Sequence, residues 1–211
     1  NKRTGNEHYW QYDSAVWPRR TSICFPVCGL LTDEEYRYEG KTYSLPNHGI
    51  LREYDLEVKE HSSNKVVLQF RDNEETRKSY PFHFCYTVEE ELEGNALVVR
   101  YTVENTGEGP MYYATGSHYT YNMPIAAGEK QSDYVYQFEG VQNAGKLISE
   151  NGQIAGKTDD IFHGKDYLAL AGMFEDGSTV LDMKDISSNK ITIRGLKSDV
   201  ATEVMFEGFD Y

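Results

Sequence analysis

The chain has 211 residues and a net charge of -13, from 34 acids against 21 Lys and Arg. It is long enough for one sizeable core, and its acidity argues against nucleic-acid and membrane partners while suiting a neutral small-molecule ligand. No apolar run approaches the roughly 20 residues that span a bilayer, and 17 Tyr with 9 Phe against 2 Trp favour half-buried pleated surfaces.

Taken in order, Glu39-Gly40 separates Tyr36 and Tyr38 from Tyr43 and Leu45, a turn between two short strands. Next, Val66, Leu68 and Phe70 fall on one face of an alternating run. Asp72-Asn73-Glu74-Glu75-Thr76 offers caps for one or two helical turns, which Pro81 prevents from extending. Phe84, Tyr86 and Val88 line the next strand, and Leu97, Val99, Tyr101 and Val103 the one after, with Val98, Arg100 and Thr102 behind. Between them, Gly94-Asn95 fits a type II′ hairpin. The run Glu89-Glu90-Glu91 reads as a solvated face rather than a metal site. The Gly-rich region 140–165 reads as a loop, an insertion or a mobile segment, and Asp176-Gly177 and Ser188-Asn189 break the last third into short strands. Alternation of this kind, punctuated by turns, predicts an all-β antiparallel sandwich or barrel. It forms a single domain over 1–211, and both ends read as cut.

The cysteines are Cys24, Cys28 and Cys85, an odd number with neither a disulfide framework nor the usual zinc spacing. They read as reduced core thiols, which implies a reducing, cytoplasmic location and no metal.

Four stretches point further. Trp10-Gln11-Tyr12-Asp13 leads to Trp17-Pro18-Arg19-Arg20 and Phe25-Pro26-Val27-Cys28-Gly29; Leu45-Pro46-Asn47-His48-Gly49-Ile50-Leu51-Arg52 follows; then comes Tyr80-Pro81-Phe82-His83-Phe84 with the hairpin over 92–107; last is Gly116-Ser117-His118-Tyr119-Thr120-Tyr121-Asn122. Together they resemble the aldose 1-epimerase (galactose mutarotase-like) family, in the branch of lactose-operon-associated and hexose-6-phosphate mutarotase-like proteins. The second resembles its Leu-Pro-x-His-Gly-Phe-x-Arg loop. The fourth resembles Gly-x-His-Pro-x-Phe-Asn, with Tyr119 and Tyr121 in place of Pro and Phe.

The resemblance implies a large antiparallel β-sandwich with a concave sugar site and no cofactor. It implies an isomerase that interconverts the α and β anomers of a hexose by acid/base ring opening; a non-catalytic carbohydrate-binding protein on the same fold is the other reading. His118 is then the acid at the ring oxygen, and His48 binds sugar hydroxyls. Arg20 and Arg52 become substrate contacts, with Arg19 competing for the first position. Asn122 positions the His118 strand or touches substrate. Asp176 is the candidate hydroxyl-binding carboxylate, with Asp166 and Asp182 open as alternatives. Trp10, Trp17 and Phe25 are core residues or platforms for a sugar face. The family's catalytic Glu, in a Glu-Pro-Trp-like segment, is expected beyond Tyr211. The expected partner is the sugar, and a homodimer is one outcome open to a sheet short of edge strands.

Overall fold

A computed structural model describes residues 4–20, 22–173 and 179–208. The chain divides into two compact units, Arg19–Tyr119 and a second made of Asn1–Pro18 with Thr120–Tyr211. Among the described residues no helix is long and apolar enough to cross a membrane.

The Arg19–Tyr119 unit begins with β1 (Ser22–Cys24), then β2 (Glu35–Tyr38) and β3 (Lys41–Ser44). Glu39 and Gly40 between them both have positive φ, at 48° and 76°, as a type I′ turn demands. β4 (Glu57–His61), β5 (Lys65–Arg71), β6 (Phe84–Glu93) and β7 (Ala96–Asn105) form an antiparallel meander in chain order. The β6–β7 connection has positive φ only at Gly94, 64°, as the type II′ reading requires. β8 (Gly116–His118) returns to pair with β1.

The short helix α1 (Glu74–Ser79) sits where the caps predicted it. Asn73 accepts from the Glu75 and Thr76 amides at 2.9 and 3.0 Å, while the Thr76 hydroxyl accepts from the Asn73 amide, a reciprocal cap worth about 1 kcal/mol. The preceding Asp72 carboxylate takes the Phe84 amide, His83 and Arg77, so it locks the helix onto the start of β6.

This unit's core is aromatic. Phe25, Phe84 and Tyr86 are 0% exposed. The Phe25 ring packs against Tyr80, Phe84 and Tyr86 with centroids 4.9–5.7 Å away, the tilted and edge-on geometry that aromatic quadrupoles favour. The period-two reading holds: Val99, Tyr101 and Val103 of β7 pack on this core, as do Leu68 and Phe70 of β5 and Val88 of β6. Phe25 is therefore a core residue, since no face of its ring is left for a sugar.

In the second unit, β9 (Tyr134–Phe138), β12 (Tyr167–Ala169), β14 (Lys190–Gly195) and β15 (Ala201–Met205) form an antiparallel sheet in the order β12-β9-β14-β15. β10 (Lys146–Glu150), β11 (Gln153–Lys157) and β13 (Val180–Leu181) form another, ordered β11-β10-β13. The region 140–165 thus holds a β-hairpin, not a loop insertion. Asn151 and Gly152, at φ 52° and 79°, make its I′ turn, a local signal that the glycine content of the stretch hides. Tyr134 is fully buried; its hydroxyl donates to Glu129 and accepts from the Ile125 and Ala126 amides.

Candidate functional site

The local structure around His48 follows from Gly49. Gly49 has φ +75°, and a β-carbon there would lie 2.2 Å from the Phe25 carbonyl oxygen. Only glycine permits this approach. The carbonyl then takes the Ile50 amide at 2.9 Å and the Leu51 amide at 3.2 Å, and the Phe25 amide donates to the His48 carbonyl at 3.2 Å. The His48 amide donates to the Gly29 carbonyl at 2.8 Å. His48 itself is held at φ 64°, a left-handed conformation that a bulky L-residue adopts only when its surroundings fix it.

The ring of His48 is fixed as well. Its Nδ1 accepts from the Gly29 amide at 3.0 Å, so the neutral ring carries its proton on Nε2. Burial lowers the His48 pKa below 6.5, with the like charges of His118 and Arg52 adding to it. The Gly29 N–H acts in the same direction, because a second ring proton would point at it. His48 is thereby a neutral donor through Nε2–H.

His118 ends β8. The β1–β8 register puts it opposite Ser22, and its ring centroid lies 5.5 Å from that of His48 at an interplanar angle of 74°. The two imidazoles, 70 positions apart in sequence, are brought together because the 46–52 loop and β8 both pack on the segment 22–29. β8 is anchored from behind. The Tyr86 hydroxyl meets the Thr115 hydroxyl at 2.7 Å, Thr115 donates to the Cys24 carbonyl, and the Ala114 amide donates to the Pro26 carbonyl. On either side of His118, Ser117 and Tyr119 stand by the Tyr101 hydroxyl, and Tyr119 donates to Glu90 at 3.3 Å. Sequence reasoning missed these supports. The period-two signal for Glu90 was present: it shares the face of Phe84, Tyr86 and Val88. The acidic run is therefore split, with Glu89 on the opposite face, paired to Lys65 and Arg100.

Arg52 lies in a single 3-10 turn, Leu51–Glu53, directly after the His48 loop. Its side chain is 17% exposed, and Glu53 Oε1 stands 3.4 Å from its Nε, within ion-pair range but without hydrogen-bond geometry. Among the described residues Nε is a buried donor with no hydrogen-bond partner, a costly state that a ligand oxygen would relieve. Glu53 also holds Arg19 at 2.8 Å; Arg20 is exposed. The carboxylate thus joins Arg19, not only its neighbour in the motif, to the Arg52 corner.

The other expected residues lie in the second unit. Asn122 donates both amide hydrogens to backbone, to the Glu7 and Tyr9 carbonyls at 3.0 and 2.9 Å, and its own N–H goes to His8. It ties the 6–9 segment to the 120–122 segment, where Tyr9 and Tyr121 stack at 5.4 Å. The Trp10 indole donates to the Trp17 carbonyl at 3.2 Å. Asp182 caps a 3-10 turn by accepting from the Lys184 amide, and Asp176 lies outside the described residues.

This constellation of paired imidazoles and a half-buried arginine is mounted on antiparallel sheets, and its family is established by comparison. The aldose 1-epimerase family profile matches residues 1–163, and the chain belongs to that family. Its relatives include the plasmid and chromosomal LacX proteins of Lactococcus lactis subsp. lactis, each 27% identical over 98% of this chain and 72% of their own length. Among solved structures, it is similar to a galactose mutarotase related enzyme from Lactobacillus acidophilus, with a TM-score of 0.86, 28% identity, and coverage of 95% of this chain and 67% of that one. A galactose mutarotase-like protein from Lactobacillus casei gives 0.84 and 28%, covering 96% and 70%. The antiparallel β fold of galactose mutarotase type expected from the sequence is thus the fold the chain has.

Proposed function

We propose that the site around His48, His118 and Arg52 binds a neutral aldose and supplies the acid side of its anomer exchange. The observation that carries this reading is the 5.5 Å approach of the two rings beside an arginine Nε that lacks a hydrogen-bond partner among the described residues. Ring opening requires a proton on the ring oxygen as the anomeric hydroxyl loses its own, followed by rotation about C1–C2 and closure with either configuration. Histidine holds a proton near neutrality and can give and retake it. His118 takes that role. His48, kept neutral with Nε2–H outward, donates to a sugar oxygen without competing for the proton. Arg52 presents Nε to a sugar hydroxyl. A second group must take the anomeric proton, and no acid of this chain is assigned to that step. The net charge of -13 fits a neutral ligand.

The test is NMR exchange spectroscopy between sugar anomers in the presence of the chain, alongside sugar titration. Exchange that falls by about 100-fold or more in His118→Ala, in line with the loss of a general acid, with binding retained, supports the proposal. Binding with no exchange in the parent chain makes it a carbohydrate-binding protein instead. Neither binding nor exchange removes the sugar reading.

A further inference from the structure

The β1–β8 ladder carries a second chemical feature on its imidazole side. Gly116 stands directly opposite Cys24, two positions from the Ser22–His118 pair, so Cys24, Gly116 and His118 share a face. A β-carbon added at Gly116 would meet Cys28 Sγ at 3.1 Å. The Cys28 sulfur therefore fills the space that the missing Gly116 side chain leaves, directly across the ladder from the Cys24 side chain. Opposed β-carbons in such a pair lie about 4.5–5.5 Å apart, a gap that Cys28 enters from the loop. The two thiols are close enough to shift each other's proton affinity, that of Cys24 down and that of Cys28 up. Cys24 is buried and Cys28 exposed, which corrects the reading of Cys28 as a core thiol and gives solvent a route to the pair.

We infer that Cys24 and Cys28 form an oxidisable dithiol beside the imidazole site, a modification site for hydrogen peroxide and related hydroperoxides. Two supports are independent of the ladder. The neighbouring Cys28 thiol lowers the Cys24 pKa from its usual range; burial opposes this, and the positive charge of Arg52 adds to it, so Cys24 is the more acidic thiol of the two. The chain between them is short, only Phe25-Pro26-Val27. In the reaction one sulfur attacks peroxide: an S–O bond forms, the O–O bond breaks, and the departing hydroxide takes a proton as water. The second sulfur attacks the resulting sulfenic acid; the S–S bond forms, hydroxide leaves and takes the second proton. Two thiols and one hydrogen peroxide become one disulfide and two waters, with the sulfurs oxidised and the peroxide reduced. The bridge closes around Phe25, whose amide donates to the His48 carbonyl, and abuts Gly29, whose amide donates to the His48 ring, so the His48 ring reports it. This inference does not depend on the sugar reading.

The experiment treats the 211-residue chain with hydrogen peroxide, alkylates remaining thiols and digests with trypsin. Residues 21–37 form one peptide that holds both cysteines, while Cys85 falls on another. The expected result is a loss of about 2 Da on the 21–37 peptide, with no alkylation there and full reversal by dithiothreitol. Cys28→Ser removes the loss, and circular dichroism confirms that this variant folds. In the parent chain, the His48 imidazole resonances shift on oxidation and return on reduction. Retained alkylation of both thiols, a gain of about 32 Da marking sulfinic acid, or a covalent dimer overturns the assignment. An unmoved His48 signal in a bridged chain overturns the coupling.

Discussion

Replacing Gly49 by Ala tests what positions His48. The new β-carbon would stand 2.2 Å from the Phe25 oxygen, 2.4 Å from its carbon and 2.7 Å from the Pro26 nitrogen, more than an ångström short of ordinary contact. All three are backbone atoms, so no side chain can swing aside. Opening the gap stretches three hydrogen bonds: Ile50 and Leu51 to the Phe25 carbonyl, and Phe25 to the His48 carbonyl. At about 0.5–1.5 kcal/mol each, with about 1–2 kcal/mol for a left-handed alanine, the loss comes to roughly 2.5–6.5 kcal/mol. Gly40→Ala is the control, because Gly40 has φ +76° and nothing within 4 Å of an added β-carbon. It carries the backbone cost alone, about 1–2 kcal/mol. Urea denaturation of both variants measures the difference, expected to be roughly 1.5–4.5 kcal/mol. If the two lose stability to within about 0.5 kcal/mol of each other, the close approach does not hold the His48 loop and the account of the site is wrong at its base.

Three further outcomes follow from the site. His48 should titrate below 6.5, and His118→Gln should raise its pKa without restoring 6.5, since burial is the leading cause and persists; an unchanged or lower imidazole titration by NMR would contradict this. Because the folded state refuses a proton that the unfolded chain accepts, the stability from neutral His48 is fully present above 6.5 and declines as pH falls towards the depressed folded value; His48→Gln should flatten the stability curve in that window. Tyr101→Phe removes the hydroxyl that stands by Ser117 and Tyr119; it should lower stability by about 1 kcal/mol and broaden the His118 ring resonances, while leaving those of His48 sharp. Sharp His118 signals in that variant would show that β8 does not need this support.

Much of the architecture was written in local pattern. Alternation placed β5, β6 and β7 of the meander with Leu68, Phe70, Val88, Tyr101 and Val103 inward, because a pleated strand turns every second side chain to the same side. Turn chemistry set Gly94-Asn95 and the Asn73 cap, since both depend on a few adjacent residues. The Asn151-Gly152 hairpin was just as local but was masked by the glycine content around it. The two histidines were legible as motif members, His48 before a glycine and His118 in a short strand.

What the tertiary structure alone decided is how those motifs meet. Gly49 at the Phe25 carbonyl, the Gly29 amide on the His48 ring, Glu90 reaching Tyr119, and Cys28 over Gly116 all join residues from separate stretches of chain. Their partners are chosen by strand register and by where a loop lands, quantities set by the packing of the whole core around Phe25, Phe84 and Tyr86. The alternation of one strand carries no record of the register of another. So the sequence specified the residues that carry the chemistry, and the packed core determined which imidazole nitrogen faces outward and which arginine nitrogen is left to bind.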